Sequence, residues 1–434
     1  MFTLALVAYL DYSCQMNVSS SYRGARIALC GLVLAVHAFS PLVAEELYSP
    51  TWGFYLDLPE GFEYAAGDGK NRFSFMDPDS GISVDVIAYA GGRYSSPENL
   101  GKDVVKRLLA EADTALFDYR GRRAAITQLA FSSQAGPVEG WALALELGGL
   151  ELVEGKRPLL LALAYGAVSS GADATRPNAE HIMFSALDSI AVSAEDRLSP
   201  GPVSVFSWPP SERTSVSIQV AGRITQATLD ADDARAAKAL VDREFKVLVD
   251  YNDSPKWKEA WARFYRAIWR DAYSRLADIS FVVERAISEH AISESPATMA
   301  NPGTDGAASG RMLAEGVLGW IQGFKYERDL LGSDFVDLPS TAAETRGDCD
   351  SRALLLAIIL QHANIDAILM VSREYGHAMA AIAVDGPGAR FSHGGADWIV
   401  AETTAKVGLG MIGQNVADPQ KWLAIDFPAL PKGR

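Results

Sequence analysis

Cysteine is scarce in this sequence. Of three cysteines in 434 residues, Cys14 and Cys30 lie near the N-terminus, and Cys349 is the only one beyond residue 44. Residues 45–434 therefore contain no second thiol for an internal disulfide, which excludes a disulfide scaffold. A lone cysteine is either a buried inert residue or a nucleophile, and the count alone leaves both interpretations open.

Basic charge is also in short supply. Lysine and arginine total 39 against 54 aspartates and glutamates, which gives a formal net charge of −15. Such acidity disfavours nucleic acid or an anionic membrane surface as the main partner. With 49% hydrophobic and 21% charged residues the composition is that of a globular protein, and the length predicts two or three domains.

Long apolar runs are missing outside the N-terminal region. There, Ile27–Phe39 follows Arg23 and Arg26, a pattern that predicts a signal peptide over residues 1–44, with Met16 as a second candidate start. The run is shorter than the ~20 apolar residues that span a bilayer, although a retained N-terminal anchor stays an alternative. The mature chain is expected to be exported to a bacterial periplasm or the extracellular space, and to contact a membrane only if this segment is retained.

Residues 45–196 are predicted to form an antiparallel-sheet α/β sandwich. Six segments have strand-like alternation or composition between turn residues: 54–58, 71–76, 82–89, 124–131, 140–147 and 158–165. Ser96 and Pro97 predict a helix start, because serine is a frequent N-cap and proline suits the first helical position. This helix is predicted to end near Ala112, and a second, amphipathic helix is predicted over Pro177–Ile190.

The segment Trp52–Phe62, WGFYLDLPEGF, begins this region. The segment, together with the order of strands and helices, resembles PsbP-like sandwiches, in which helices flank a curved antiparallel sheet. The resemblance covers about a third of the chain. It implies a binding or scaffolding role and no chemistry.

The middle of the chain is predicted to be mostly helical. Proline and serine mark residues 197–213 as a linker. Residues 214–310 are predicted as a helical region that ends in a second linker. Within it, Thr214–Leu229 is predicted as a short strand pair and Asp230–Ser288 as one long or two shorter helices. Aromatic residues recur at helical spacing over Trp257–Trp269, which favours a packed core face over a ligand groove.

The candidate chemistry lies in residues 311–434. Asp348 is a suitable N-cap for a helix in which Ala353–Leu360 is apolar on every side, so that Cys349 falls in the first turn. Backbone N–H groups and the helix dipole stabilise a thiolate at this position. Asp348 and Asp350 oppose the effect, and a histidine partner is therefore required.

Strands after this helix supply the partners. A strand is predicted over Ile365–Val371, His377 begins a second strand, and Trp398–Glu402 alternates as a third. This order places Cys349 at the start of a buried helix, against a sheet that carries His377 and Glu402. A thiol, an imidazole and a carboxylate in such an arrangement form the cysteine version of a catalytic triad.

The stretches Gly347–Leu356 (GDCDSRALLL), Gly376–Ala378 (GHA) and Trp398–Thr403 (WIVAET) are similar to the transglutaminase-like superfamily. The resemblance covers about Leu313–Gly413. A glutamate followed by threonine, where the superfamily usually has aspartate, resembles a prokaryotic branch.

The resemblance implies a papain-like fold with Cys349 as nucleophile, His377 as base and Glu402 as the acid that orients the base. Gln322, within the segment WIQ, is a weaker candidate for an oxyanion hole beside the backbone N–H of Cys349. The expected fold class is therefore α+β, with a sandwich domain, a helical middle segment and a transglutaminase-like domain.

No cofactor or metal is expected. Beyond the predicted signal peptide, three histidines lack cysteine or histidine partners at metal-ligand spacing: His181, His290 and His362. His393 lies in a Ser-His-Gly-Gly segment that is typical of a solvated loop. Gly408–Gly413 matches the pattern G-x-G-x-x-G, but no helix is predicted after it, so nucleotide binding is rejected.

Two functions fit these observations. The first is an exported thiol-dependent amide hydrolase, a peptidase or amidase, or an acyl transferase that acts through a thioester on a protein or peptide substrate, such as one in the cell envelope. The second is a catalytically inactive transglutaminase-fold protein that binds a peptide or partner as a scaffold. Close approach of Cys349 and His377 favours the first, and a sealed Cys349 favours the second.

Overall fold

The computed structural model describes residues 46–134, 136–148, 155–168, 178–294, 306–329 and 333–429. The predicted signal peptide, residues 1–44, lies outside these ranges. The chain combines helices and strands in two compact units, Met1–Ala186 and Leu187–Arg434. None of the helices in the described ranges is long and apolar enough to cross a membrane.

The first unit contains a seven-stranded antiparallel sheet with the order β3-β4-β5-β9-β8-β7-β6. A separate two-stranded pair, β1 and β2, precedes it. The six predicted strands are confirmed as strands, with bounds β2 Tyr55–Leu56, β4 Arg72–Asp77, β5 Ile82–Tyr89, β7 Arg122–Ser133, β8 Gly136–Glu146 and β9 Leu159–Ala167. Three further strands were not predicted: β1 Leu47–Tyr48, β3 Glu63–Gly67 and β6 Glu111–Tyr119.

Helix α1, Pro97–Leu108, covers one face of this sheet through apolar side chains that include Leu100 and Val104. The Ser96 hydroxyl accepts the N–H of Asn99, as a serine N-cap does. The predicted helix end at Ala112 is wrong: Leu109 is left-handed and ends the helix, and β6 begins at Glu111. The sequence does not reveal β6 because this edge strand is largely exposed and lacks a buried apolar face.

The segment predicted as a linker, residues 197–213, contains short helical elements. Helix α2, Ala179–Asp188, is followed by a 3₁₀ turn over Glu195–Leu198 and a short helix α3, Pro202–Ser207. The Arg270 guanidinium donates hydrogen bonds to backbone carbonyls in this part of the chain, those of Asp188, Ile190, Asp196 and Ser199. Local composition cannot indicate order that depends on an arginine about 70 residues away.

The predicted strand pair is confirmed as an antiparallel hairpin of β10, Arg213–Val220, and β11, Arg223–Asp230. Three helices follow instead of one or two, with bounds α4 Asp233–Tyr251, α5 Trp257–Arg275 and α6 Ala277–Glu294. Pro255 lies in the break between α4 and α5, where its missing N–H and its ring disfavour a continuous helix.

Three aromatic residues of α5 form core, as the helical spacing predicts, while Trp257 and Trp261 are half-buried. Phe264, Tyr265 and Trp269 are buried, together with Ile268. The Trp269 indole N–H also donates to the Gln361 side-chain oxygen at 2.7 Å. This hydrogen bond connects α5 to the helix that begins at Cys349 and gives the buried indole N–H a partner. That helix carries the first residue of the candidate site.

The C-terminal part packs helices against a five-stranded antiparallel sheet of order β16-β17-β15-β14-β18. Its helices are α7 Gly306–Ile321, α8 Leu338–Glu344 and α9 Cys349–His362. Its strands are β12 Lys325–Tyr326, β13 Arg346–Gly347, β14 Ala367–Ser372, β15 His377–Ile382, β16 Arg390–His393, β17 Ala396–Ala401 and β18 Leu423–Ile425. Helix α9 is buried along almost its whole length and packs on β14 and β15.

Candidate functional site

Cys349 is the first residue of α9, as the sequence predicts. The backbone of Asp348 is extended, and its carboxylate accepts the Ser351 N–H at 2.9 Å, which confirms Asp348 as the N-cap. Only 7% of Cys349 is exposed. The thiol therefore lies at the positive end of a helix but is largely shielded from water.

Two side chains share the carboxylate of Asp350. The Cys349 thiol donates to one oxygen at 3.2 Å, and the Tyr265 hydroxyl donates to the other. Burial, followed by the charges of Asp350 and Asp348, raises the pKa of Cys349, while the backbone N–H of Ala378 acts in the opposite direction. The thiol is therefore protonated in this arrangement.

The neighbouring Asp348 carboxyl is perturbed as well. Burial, followed by the charge of Asp350, raises the pKa of Asp348 to about 7, although hydrogen bonds from Ser351 favour its charged form. Two carboxyl groups therefore surround the sulfur, and their charges disfavour a thiolate.

His377 begins β15, and its ring pairs with Glu402. The imidazole Nε2 lies 2.7 Å from one oxygen of Glu402, which directly follows β17. The other oxygen accepts the backbone N–H of Thr404 at 2.7 Å and its hydroxyl at 2.6 Å. Burial alone raises the pKa of Glu402, but the hydrogen bonds from His377 and Thr404 outweigh it and lower that pKa. The carboxylate is therefore charged and fixed in place.

The thiol and the imidazole are neighbours without being bonded. The Ala378 N–H is directed at the sulfur, and Ala378 directly follows His377 in β15. Among the described residues, however, the sulfur's hydrogen bond goes to Asp350 and not to His377. The Nδ1 atom of His377 makes no hydrogen bond within the described ranges, since the one bond of the ring uses Nε2.

Gln322 lies just after α7 and contacts the segment that follows β17. Its amide nitrogen donates to the carbonyls of Glu402 at 2.8 Å and Val407 at 2.9 Å. Both amide hydrogens are thus used on the backbone. Its role in an oxyanion hole stays a prediction, and it would require the amide to leave these carbonyls.

Arg352 is a structural residue of the site that sequence reasoning missed. It is 2% exposed, and its guanidinium donates to the carbonyls of Gly347 at 2.9 Å, Phe324 at 2.7 Å and Thr403 at 3.4 Å. It also lies 5.5 Å from the centre of the Tyr326 ring, and burial lowers its pKa. Arg352 therefore ties together the residues before Cys349, after Gln322 and after Glu402. An arginine directly before the apolar run Ala353–Leu360 of a buried helix is the signal that could have revealed it.

The remaining motifs do not join this site. His393 pairs with Asp426 at 2.7 Å on an exposed edge, and His362 contacts the carbonyl of Tyr273. Gly408–Gly413 is followed by a 3₁₀ turn, Gln414–Val416, rather than an α-helix. In the part of the chain that the structure describes, no three His, Cys, Asp or Glu side chains are grouped as metal ligands.

The chain matches no protein-family model and no curated protein sequence. A similarity exists to a solved structure from Bacteroides thetaiotaomicron VPI-5482, at 11% sequence identity over 54% of this chain and 78% of the other. The TM-score of that similarity is 0.23. A similarity at this level supports no conclusion about fold or function.

Proposed function

We propose that residues 311–434 form a transglutaminase-like, papain-type domain and that this chain is an exported thiol-dependent amide hydrolase or acyl transferase. Cys349 is the nucleophile, His377 the base and Glu402 the acid that orients the base. Residues 45–196 form a PsbP-like sandwich with a binding role, and the segment between them is mainly helical.

One observation carries the proposal. A charged Glu402, fixed on one side by Thr404, holds the Nε2 atom of His377 on the strand beside the first turn of the Cys349 helix. A buried carboxylate on one ring nitrogen sets the tautomer and orientation of an imidazole and stabilises its charged form. That arrangement leaves Nδ1 as the atom that can exchange a proton with the sulfur.

The reaction follows from these roles. The proton of the Cys349 thiol passes to His377 Nδ1, and the sulfur attacks an amide carbonyl to form a tetrahedral intermediate. The C–N bond breaks, His377 gives its proton to the leaving amine, and a thioester on Cys349 remains. Water, deprotonated by His377, then releases the acid and restores the thiol. An amine in place of water makes the same site a transglutaminase.

The substrate is a protein or peptide amide, such as one in the cell envelope. Asp350 acts before the chemistry, because its carboxylate holds the thiol proton until a substrate or a local movement releases it, and the Tyr265 hydroxyl weakens this hold by donating to the other oxygen. Arg352 and Gln322 maintain the positions of the chain segments that present Cys349 and Glu402. The acceptor, water or amine, depends on access to the thioester.

A second candidate function has its own supporting observation. The raised pKa of Cys349 and its hydrogen bond to Asp350 favour an inactive thiol, and hence a transglutaminase-fold scaffold that binds a peptide or partner. In that case the His377–Glu402 pair has a structural role only.

Alkylation kinetics separate the two functions. With Cys14→Ser and Cys30→Ser, Cys349 is the sole thiol of the full chain. Asp350→Asn then removes the charge that holds the thiol, so iodoacetamide should react about tenfold faster at pH 7 if His377 stabilises the thiolate, because one pKa unit is a factor of ten in thiolate. Adding His377→Ala should abolish that gain.

His393→Ala is the matched control, since it removes an exposed histidine outside the site. It should leave the gain intact. If Asp350→Asn reacts equally fast with and without His377, while circular dichroism shows a folded chain, no thiolate–imidazolium pair forms. The scaffold would then be the correct function.

A further inference from the structure

A groove in the first unit has features of a ligand site. It has a volume of about 840 Å³. Its lining residues come from the turn between β1 and β2, from the β3–β4 turn with the strand ends beside it, and from the end of β5 with the segment after it. Its walls include the half-buried Trp52 and the buried Tyr89. The groove therefore combines aromatic surface with room for a small molecule.

The charge of the groove is opposite to that of the chain. Arg72 and Arg93 line it, in a protein whose formal net charge is −15. Its acidic residue, Asp68, is directed at its own loop: the carboxylate accepts the backbone N–H groups of Lys70, Asn71 and Arg72, and the Asn71 amide. Asp68 is thus held by its own turn, and the two arginines of the lining outnumber this one acid.

Arg93 is the residue best placed to bind an anion. Its guanidinium lies 5.0 Å from the centre of the Tyr89 ring and 5.7 Å from that of Tyr94. Within the described ranges it makes no ion pair, whereas the nearby Arg107 pairs with Asp103. A guanidinium stacked on rings has its orientation restricted, and it offers a forked set of donors that suits a carboxylate.

The aromatic surface that Trp52 adds to the groove is also restrained. The Trp52 indole N–H donates to the Asn71 side-chain oxygen at 3.3 Å, which fixes the ring at the edge of the groove. Both ends of the Asn71 side-chain amide are therefore hydrogen-bonded, since its oxygen accepts from Trp52 and its nitrogen donates to Asp68. The groove thus offers a ligand cationic donors and a flat ring, but few neutral polar groups.

We propose that this groove binds a small carboxylate with a flat, apolar body. The carboxylate contacts Arg93, with Arg72 adding positive potential, and the body lies against the Trp52 indole. This inference does not rest on the function proposed for Cys349, since every residue that carries it lies in the first unit.

The test uses three probes on the full chain. Benzoate has both the charge and the flat body, benzamide has the body without the charge, and acetate has the charge without the body. Saturation-transfer NMR should detect benzoate, and benzamide and acetate much more weakly at equal concentration. Arg93→Gln should weaken benzoate binding about tenfold, the loss expected for a charge-assisted hydrogen bond.

Two further variants keep the result interpretable. Lys102→Gln removes one positive charge from exposed α1, outside the groove, and should leave benzoate binding unchanged. Trp52→Phe should weaken benzoate more than acetate. Equal binding of benzoate and benzamide, no detectable benzoate binding, or equal loss in Arg93→Gln and Lys102→Gln would each overturn the proposal.

Discussion

Both units contain buried carboxyl groups, and the pKa values of two of them, Asp85 and Glu402, shift in opposite directions. In the first unit, Asp85 of β5 accepts hydrogen bonds from the hydroxyls of Ser74 and, at 2.9 Å, Tyr165. Burial outweighs these bonds and raises the pKa of Asp85 to about 6. In the second unit, Glu402 is also largely buried, yet its pKa is lowered.

The donors explain the difference. Neutral hydroxyls bond to Asp85, whereas Glu402 accepts from an imidazole that can carry charge, from a backbone N–H and from a hydroxyl. Desolvation of a charge is offset only when enough well-placed donors, preferably charged ones, replace water. At neutral pH the buried Asp85 therefore lowers the stability of the first unit's sheet. The buried Glu402 instead supplies a fixed negative charge in the second unit's candidate site.

The largest expected effect concerns the buried cation of the second unit. Arg352→Met leaves the carbonyls of Gly347, Phe324 and Thr403 without their donors in a dry interior. Loss of such a buried network should lower the free energy of unfolding by about 3–5 kcal/mol. Urea denaturation measures the loss, and hydrogen exchange should show it in α9 and β15 and not in β7 and β8.

Lys406→Met is the matched control, because Lys406 is exposed on the loop after Glu402. It should change stability by less than about 0.5 kcal/mol. Equal losses in the two variants would show that Arg352 is not a structural centre of the site.

The next effect is the pH dependence of the first unit. Because the pKa of Asp85 is raised, its contribution to stability is complete below the unfolded value near 4 and is lost as pH rises through about 6. A rise of about two pKa units corresponds to roughly 3 kcal/mol. The difference in free energy of unfolding between Asp85→Asn and wild type should therefore favour the variant more at pH 7.5 than at pH 4.5. Urea denaturation at both pH values measures this difference.

Asp113→Asn, which changes an exposed acid on β6, is the control and should show no such difference. An Asp85→Asn variant with the same pH slope as wild type would contradict the assignment.

Glu402→Gln should show the opposite sign. Since the pKa of Glu402 is lowered, its contribution is present above the unfolded value near 4.5 and is lost as pH falls through the lower folded value. The variant should therefore be less stable than wild type at pH 7 and approach it near pH 3. The expected loss is about 1–2 kcal/mol, the usual cost of a weakened buried charged hydrogen bond. A loss that does not shrink on acidification would refute a charged Glu402.

The smallest effect concerns the hydroxyl that shares Asp350 with the thiol. Tyr265→Phe removes one donor from Asp350, so that the carboxylate binds the Cys349 proton more strongly. Alkylation of Cys349 at pH 8 should slow by about two- to threefold, the effect of a few tenths of a pKa unit. Tyr273→Phe, on the same helix but away from Asp350, should leave the rate unchanged; faster alkylation in Tyr265→Phe would contradict this role.

Much of the local structure around Cys349 follows from short-range sequence. Asp348 is an N-cap because its side chain reaches the Ser351 N–H, and Cys349 falls in the first turn for that reason alone. The apolar run after it predicts a buried helix, and the turn residues before His377 place it at the start of β15. These features depend on neighbours within a few residues.

Other features had no local signal. The β6 strand is an exposed edge, and Asp350 meets Tyr265 across 85 residues of sequence. The segment after α2 is ordered through Arg270, which belongs to a distant helix. Long-range contacts of this kind depend on how helices and strands pack together. The periodicity of residues within one helix or strand does not predict them.

The sequence by itself determined many of the α and β elements, the lone thiol at a helix start, and the order of thiol, imidazole and acid along the chain. The tertiary structure alone decided that Glu402 is charged and bound to His377, that the thiol donates to Asp350, and that Arg352 is buried among carbonyls. The physical reason is that charge state and hydrogen bonding depend on burial and on donors brought from distant segments.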